Sequence, residues 1–143
     1  MIRAFLDTNV LIDWILEKDR PNRTASLQIA QAILDRKIEG FVSTQSLIDT
    51  AYVAGRSGRS FAGFELLFRK MLRYLNLGGI SSFEILHALD HHSGDFEDDA
   101  QIAYADNLFC GFFVSGDLEL KHHAPVPDME ILTPTEFIER LQQ

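Results

Sequence analysis

The hydrophobic positions of this chain switch repeatedly between short continuous runs and helical periodicity. The short runs predict β-strands at residues 3–6, 40–43, 74–77, 112–115 and 130–132. Segments in which apolar residues recur at helical spacing predict helices at residues 24–37, 44–56, 60–73, 82–91 and 96–110. The apolar positions after the first strand predict one more helix there, and Thr133-Pro134-Thr135-Glu136 has the cap, proline and glutamate that begin a last one.

This alternation of strands and helices is typical of an α/β fold, in which crossover helices connect parallel strands. We expect a three-layer α/β/α architecture with a central, mostly parallel five-stranded sheet covered by helices on both faces. A length of 143 residues and a hydrophobic content of 46% suit one compact domain spanning residues 1–143. No linker, repeat or low-complexity segment divides the sequence.

Two apolar features receive a structural interpretation. The segment 60–73 carries large apolar residues at helical spacing, which predicts a packing face rather than a base-stacking surface; these are Phe61, Phe64, Phe68, Met71 and Leu72. The single cysteine, Cys110, has no partner for an internal disulfide, and its apolar surroundings predict a buried small hydrophobe rather than a nucleophile.

Acidic residues recur where the predicted sheet would bring them together. Asp7 follows the first strand, Asp117 follows the fourth, Asp98 opens a later helix and Asp49 lies within another. Ligands of open α/β sheets bind at the carboxyl ends of the strands, where the order of the strands reverses. Carboxylates gathered there predict a magnesium site. The local alternative for Asp7 is N-capping of the helix that follows it.

A second acidic feature is the run Asp95-Phe96-Glu97-Asp98-Asp99, which has four acids in five residues. Asp95 is a candidate N-cap, and acids in a first helical turn interact favourably with the helix dipole. Mutual repulsion among four carboxylates nevertheless disfavours the fold unless a cation compensates it. The run therefore adds to the predicted metal site.

The net charge of −8 opposes nucleic-acid binding, since phosphate contacts depend on cationic side chains. The charge is unevenly distributed, however, and residues 56–73 carry five basic side chains against one acidic side chain. Arg56 and Arg59 are the candidate nucleic-acid contacts in this segment. A solvated helix face is the alternative interpretation.

Neither a membrane span nor a signal peptide is indicated, because no apolar run of 18 residues occurs and the N-terminus lacks a basic-then-apolar pattern. We expect a cytoplasmic protein.

Taken together, four segments make the chain resemble the PIN-domain family of metal-dependent nucleases, which includes the VapC-type toxins of bacterial toxin–antitoxin pairs. The segments are Phe5-Leu6-Asp7-Thr8-Asn9-Val10-Leu11, Ser43-Thr44-Gln45-Ser46-Leu47-Ile48-Asp49, Asp95-Phe96-Glu97-Asp98 with Gln101-Ile102-Ala103-Tyr104-Ala105, and Phe113-Val114-Ser115-Gly116-Asp117. Each is weak alone, and their order and spacing are specific.

The resemblance implies a catalytic metal site for Mg²⁺ or Mn²⁺ whose ligands are Asp7, Asp49, Asp98 and Asp117. It assigns supporting positions to Asn9, Ser115 and Asp95. It further implies hydrolysis of RNA, preferably single-stranded or loop RNA, with a small antitoxin protein and a homodimer as expected partners. This sequence departs from the family pattern at Asp49, which is usually Glu, and at Gly116, which often carries a basic residue.

Other chemistries fit less well. A haloacid-dehalogenase phosphatase needs a second aspartate two residues after the first, and that position is Asn9. A phospho-receiver domain needs an acidic pair at the first strand, and Asp13 lies too far into the helix. A zinc site is disfavoured because the paired histidines, His91-His92 and His122-His123, have no cysteine nearby and adjacent histidines in a helix point apart. We expect these histidines at the surface. The non-enzymatic alternative is a PIN-like module that binds RNA or protein with a weakened metal site.

Overall fold

The computed structural model describes residues 1–16 and 19–143. Its strands are β1 (Ile2–Leu6), β2 (Ile38–Ser43), β3 (Leu75–Gly78), β4 (Phe112–Val114) and β5 (Glu130–Leu132). They form one sheet with the order β3-β2-β1-β4-β5, and every pairing between neighbours is parallel. The predicted five-stranded parallel sheet is therefore confirmed.

Seven α-helices connect these strands in the described residues. They are α1 (Thr8–Ile15), α2 (Arg23–Leu34), α3 (Thr44–Arg56), α4 (Phe61–Tyr74), α5 (Ser82–Asp90), α6 (Phe96–Asn107) and α7 (Pro134–Leu141). A 3₁₀ helix, Leu118–His122, follows β4 and was not predicted from the pattern. None of the described helices is both long enough and apolar enough to cross a membrane.

The sheet reverses its strand order between β1 and β4. From β1 the chain adds β2 and β3 on one side, and later β4 and β5 on the other. Leu6 pairs with Val114, and the backbone N–H of Asp7 donates to the Val114 carbonyl at 3.0 Å. Asp7 and Ser115 therefore leave the sheet side by side at the carboxyl edge, where α/β proteins bind their ligands.

Two apolar cores lie on opposite faces of the sheet, as the alternation of side chains along β1 requires. Ala4 and Leu6 pack with the helices α1, α2, α3, α4 and α7. Phe5 points to the other face, where it stacks on Phe113 at 5.2 Å and meets Tyr104 of α6 edge-on. Burial on both faces gives the predicted three-layer α/β/α arrangement.

Two predicted helices end earlier than their apolar periodicity indicates. Helix α2 ends at Leu34 rather than Lys37 because Arg36 adopts a φ of 57°. Helix α6 ends at Asn107 rather than Cys110 because Phe109 adopts a φ of 58°. Positive φ is incompatible with a continuing right-handed helix, so each residue turns the chain toward the next strand.

The predicted apolar face of α4 is only partly correct. Phe64 and Met71 are buried, whereas Phe61 is 67% exposed and Leu72 is 50% exposed. The helix buries a narrow stripe against the sheet, and these two residues lie outside it. Cys110 is buried as predicted, and burial raises the pKa of its thiol to about 12.

A close contact between Gly78 and Tyr104 yields a stability prediction. A Cβ at Gly78 would lie 2.1 Å from the Tyr104 Oη but 3.5 Å from its Cζ. Because the Tyr104 ring is buried against Phe5, we expect Gly78→Ala to lower the free energy of unfolding by about 2–3 kcal/mol. Removing the hydroxyl with Tyr104→Phe should restore most of this loss in the double variant.

Urea unfolding of the two single variants and the double variant measures this coupling. Gly79→Ala is the matched control, since a Cβ there lies 3.6 Å from the Thr44 Oγ1, an ordinary contact. Additive losses in the double variant would contradict the clash.

Candidate active site

Asp7 is held at the end of β1 by three hydrogen bonds. It is the N-cap of α1, and its Oδ1 accepts the backbone N–H of Thr8 at 2.8 Å. Its Oδ2 accepts the hydroxyl of Ser115 at 2.8 Å and the Nδ2 of Asn9 at 3.3 Å. Asp7 can therefore cap α1 with its Oδ1 while Asn9 and Ser115 hold its Oδ2 in place.

Asn9 and Ser115 connect the ends of β1 and β4. The Nδ2 of Asn9 donates to the Ser115 Oγ at 3.0 Å, and its Oδ1 accepts the backbone N–H of Gly116 at 2.7 Å. The Ser115 Oγ also accepts the backbone N–H of Asp117 at 3.0 Å. This network fixes the carboxylate of Asp7 relative to the turn that carries Asp117.

Asp98 reaches the same edge from the start of α6. Asp95 is the N-cap of this helix and accepts the backbone N–H of Asp98 at 3.0 Å. Asp117 caps the 3₁₀ helix, where it accepts the backbone N–H of Glu119 at 3.0 Å. The side chains of Asp98 and Asp117 line one cavity together with Asp95.

Electrostatic repulsion shows that these acids act on one another. Burial raises the pKa of Asp7, and the charge of Asp117 raises it further, against the hydrogen bonds from Ser115 and Asn9. The pKa of Asp98 is raised to about 7, mainly by burial. Four negative charges also raise it, in decreasing order those of Asp95, Asp7, Asp117 and Glu97. All the charges that shift the pKa of Asp98 are negative, so the cluster favours either a proton or a cation.

Glu97 joins the cluster, although the sequence analysis named it only as a member of the acidic run and not as a site residue. Burial raises the pKa of Glu97, and Asp49, Asp7 and Asp95 raise it in that order. Asp49 is partly buried on α3 and accepts the Nε2 of Gln45 at 3.0 Å. The structure therefore brings Asp7, Asp98 and Asp117 within electrostatic reach of one another, and the charge of Asp49 acts on Glu97. Glu97 is one member of the acidic run, and sequence spacing alone does not show which side chains of that run face the site.

Helices α3 and α6 are joined by a buried polar contact. Gln101 donates from its Nε2 to the Ser46 Oγ at 3.2 Å, and Ser46 in turn contacts the N-cap residue Ser43 at 3.1 Å. Asp98 lies three residues before Gln101, and Asp49 lies three residues after Ser46. Positions three apart share a helix face, so this contact sets the separation of the two aspartates.

Asp99 points away from the cluster and is buried. Its carboxylate lies 3.0 Å from the His92 Nδ1 and 3.0 Å from the His123 Nε2, and it accepts the backbone N–H of Ser93 at 2.9 Å. The expectation that the histidines are surface residues is wrong for His123, whose side chain is 12% exposed. Asp99 therefore joins the start of α6 to the segment after the 3₁₀ helix.

A divalent cation fits this donor set. Within residues 1–16 and 19–143, no three His, Cys, Asp or Glu side chains are placed to hold one ion. Magnesium normally keeps several waters and takes one or two protein carboxylates directly, so it does not need three convergent side chains. The carboxylate oxygens are hard ligands, and their mutual repulsion, expressed in the raised pKa values of Asp7 and Asp98, falls when a cation binds.

Gly116 lies where two asparagine side chains approach the backbone closely. A Cβ at this position would lie 3.0 Å from the Asn22 Nδ2 and 3.3 Å from the Asn9 Oδ1. A basic side chain in its place would displace Asn22 or break the hydrogen bond from Gly116 to Asn9. The departure from the family pattern thus has a local packing reason.

The two candidate nucleic-acid contacts lie at the end of α3. Arg56 is exposed, and its Nη1 lies 3.4 Å from the hydroxyl of Tyr52, one helical turn earlier. Arg59 follows the helix, and its backbone N–H donates to the Ala54 carbonyl at 3.1 Å. Asp49 lies on the same helix as Arg56, seven residues before it.

Comparison with known proteins agrees with this geometry. The PIN domain family model matches residues 3–119. Ribonuclease VapC1 of Aquifex aeolicus is 26% identical over 143 residues, which cover 96% of this chain and 94% of the relative.

Similar folds occur in solved toxin structures. Mycobacterium tuberculosis VapC20, a toxin that cleaves the sarcin–ricin loop, aligns with a TM-score of 0.63 at 14% identity, covering 86% of this chain and 98% of its own. A Klebsiella pneumoniae toxin–antitoxin complex aligns at 0.60 and 19% identity, covering 92% of this chain and 97% of its own. Rickettsia felis VapBC2, bound to a promoter DNA fragment, aligns at 0.60 and 15% identity, covering 92% and 98%. The family model spans more than half of the sequence, and the chain belongs to the PIN domain family.

Proposed function

We propose that this chain is a metal-dependent endoribonuclease that hydrolyses RNA phosphodiester bonds and acts as the toxin of a toxin–antitoxin pair. The carboxylate cluster where β1 and β4 end carries the proposal, since Asp98 has a pKa of about 7 among like charges. Strongly perturbed acids in a cleft are typical of functional sites. The similarity to a ribonuclease over almost the whole chain supports RNA as the substrate.

One or two of Asp7, Asp98 and Asp117 would bind Mg²⁺ or Mn²⁺ directly, and the others, with Asp49 and Glu97, would reach it through water. A bound divalent ion neutralises the phosphate, lowers the pKa of a water and stabilises the leaving oxygen. Asn9 and Ser115 keep the Oδ2 of Asp7 in one orientation by donating two hydrogen bonds to it. Such preorganisation matters because a carboxylate that must rotate into place loses part of its stabilising effect on the transition state.

Single-stranded or looped RNA suits the open edge of this sheet, because a flexible backbone can be drawn to recessed carboxylates. Arg56 and Arg59 would contact its phosphates beyond Asp49. The Klebsiella and Rickettsia proteins with similar folds are toxin–antitoxin assemblies, which supports an antitoxin as the protein partner. A homodimer is the assembly that we propose for the free toxin.

The decisive assay incubates the purified chain with end-labelled single-stranded RNA in Mg²⁺ or Mn²⁺, and with a chelator as the control. Cleavage that requires the metal supports the proposal. Intact RNA across varied sequences, together with no calorimetric binding of Mn²⁺, would instead support a PIN-like module that binds RNA or protein without cutting it.

A further inference from the structure

A cavity of about 540 Å³ opens beside the carboxylates where β1 and β4 end. Its walls include Asn9 and Asp13 of α1, Asp117 after β4, Arg20 and Asn22 of the segment that leads into α2, and Thr133 at the start of α7. Its volume lies within the range of small-ligand sites, roughly 300–1,000 Å³. A molecule bound at the carboxylates would therefore extend into this cavity past Asp117.

Asn22 presents its amide to the cavity instead of capping its helix. It occupies the N-cap position of α2 but makes no side-chain capping hydrogen bond. Its Oδ1 lies 3.4 Å from the Thr135 hydroxyl, and its Nδ2 faces Gly116. Across residues 1–16 and 19–143, no acceptor for this Nδ2 is found. Asparagine at an N-cap normally bonds the backbone of the first turn, so a different use of this side chain is indicated.

Arg20 is positioned by a buried acid that the carboxylate cluster does not include. The Nε of Arg20 donates to the Asp13 Oδ1, and the Asp13 Oδ2 accepts the Ser26 hydroxyl at 2.6 Å. The side chain of Asp13 is 4% exposed, whereas that of Arg20 is 32% exposed. A guanidinium has five N–H donors, and in the described chain only the Nε has a partner. The pair with Asp13 orients the guanidinium at the wall of the cavity, where its remaining donors meet no acceptor among the described residues.

Arg20 is the one basic side chain among the described residues that line this cavity, beside the acids Asp13 and Asp117, so a phosphate bound here would lie at Arg20. A phosphodiester chain that passes through the carboxylate cluster carries a further phosphate on each neighbouring nucleotide. Arginine recognises phosphate with paired N–H donors, and it does so best where its own geometry is already fixed. An asparagine amide offers one donor and one acceptor, which matches the edge of a base.

We propose that this cavity binds the nucleotide next to the cleaved phosphodiester, with Arg20 on its phosphate and Asn22 on the edge of its base. The inference rests on the ribonuclease function proposed above and adds a source of sequence preference to it. Thr135 orients the Asn22 amide, and Gly116 leaves the space that the amide occupies.

The first test is cleavage of a randomised single-stranded RNA pool, with the bases on both sides of each cut identified by sequencing. Asn22→Ala should lose the base preference at one position beside the cut. Arg20→Gln should raise KM about tenfold with a small change in kcat. The matched control is Arg140→Gln, which removes an exposed arginine that pairs with Glu130 at 2.6 Å. An unchanged base preference and KM values equal to those of the control would overturn the inference.

A binding assay separates this inference from the proposed function. Anisotropy of a fluorescein-labelled RNA hexamer pool, measured in the Asp98→Asn background, needs no cleavage. Arg20→Gln should weaken this binding about tenfold relative to Arg140→Gln, and an equal affinity overturns the nucleotide site even where the wild type cuts RNA. Arg20→Gln removes the cationic partner of the buried Asp13 and lowers stability. Asn22→Ala removes no contact of Asp13 and therefore provides the independent variant.

Discussion

Replacing Asp98 with asparagine is expected to reduce metal-dependent RNA cleavage by about 1,000-fold or more while the protein remains folded. Asp98 belongs to the same group of carboxylates as Asp7 and Asp117, since the charges of both raise its pKa. Asparagine keeps the shape of the side chain but removes a negative charge that would hold the metal. The backbone hydrogen bond from position 98 to Asp95 is kept, so the start of α6 should not unfold.

The stability of the same variant distinguishes lost chemistry from lost structure. Because the folded-state pKa of Asp98 is raised to about 7 from 3.8, its folded form binds a proton more tightly than its unfolded form. The corresponding stability is present below pH 3.8 and is lost as the pH rises to about 7. At pH 7.5 without metal, Asp98→Asn should therefore be more stable than the wild type, by about 1 kcal/mol after allowance for solvent screening of this partly exposed side chain.

Asp106→Asn is the matched control, because it makes the same substitution at an exposed position near the end of the same helix. Initial rates of RNA cleavage in Mn²⁺ and thermal unfolding in chelator are measured for all three proteins. Wild-type cleavage by Asp98→Asn would remove this residue from the catalytic site. A large loss of thermal stability would instead assign it a structural role.

Metal binding should release protons near neutral pH, which is the second large effect. A cation at the cluster favours the ionised form of Asp98, whose pKa is about 7 in its absence. At pH 6.5 roughly three quarters of a proton is bound to such a group and must leave when the ion binds. The apparent affinity for Mn²⁺ should consequently fall about tenfold for each pH unit below 6 and level off above pH 8.

Calorimetry of Mn²⁺ binding in two buffers with different heats of ionisation measures this release directly. The raised pKa values of Asp7 and Glu97 add to this proton release, and for Asp98 the release should increase as the pH falls through 7. Asp98→Asn should release fewer protons at pH 6.5, and Asp106→Asn should match the wild type. Equal release at pH 6.5 and pH 8.5 would show that the metal binds away from Asp98.

The local periodicity of the sequence predicted much of the fold because strands and helices differ in the spacing of their apolar residues. It placed the five strands and the helices between them, and it placed Asp7 and Asp117 after strands that prove to be neighbours. Helix ends were less accurate. Positive φ at Arg36 and Phe109 depends on how the chain returns to the sheet, and apolar spacing carries no information about that.

The functional surroundings of the acids were harder to predict. From the sequence, Asp13 was considered only as the second acid of a phospho-receiver site and was rejected. In the structure it is buried, and its carboxylate positions Arg20. Asp99 and His123 are 24 positions apart in the chain and lie in direct contact. Such pairs form where separate segments meet, so no short sequence window contains both partners.

The sequence by itself determined the order of the elements, the parallel sheet and the presence of acids at its carboxyl edge. The tertiary structure alone decided which carboxylates repel one another, because repulsion depends on distance and burial rather than on position in the chain. It turned Glu97 toward Asp49, turned Asp99 toward two histidines, and placed Asn22 against Gly116. Each of these contacts joins segments whose separation is fixed only when both cores have packed on the sheet.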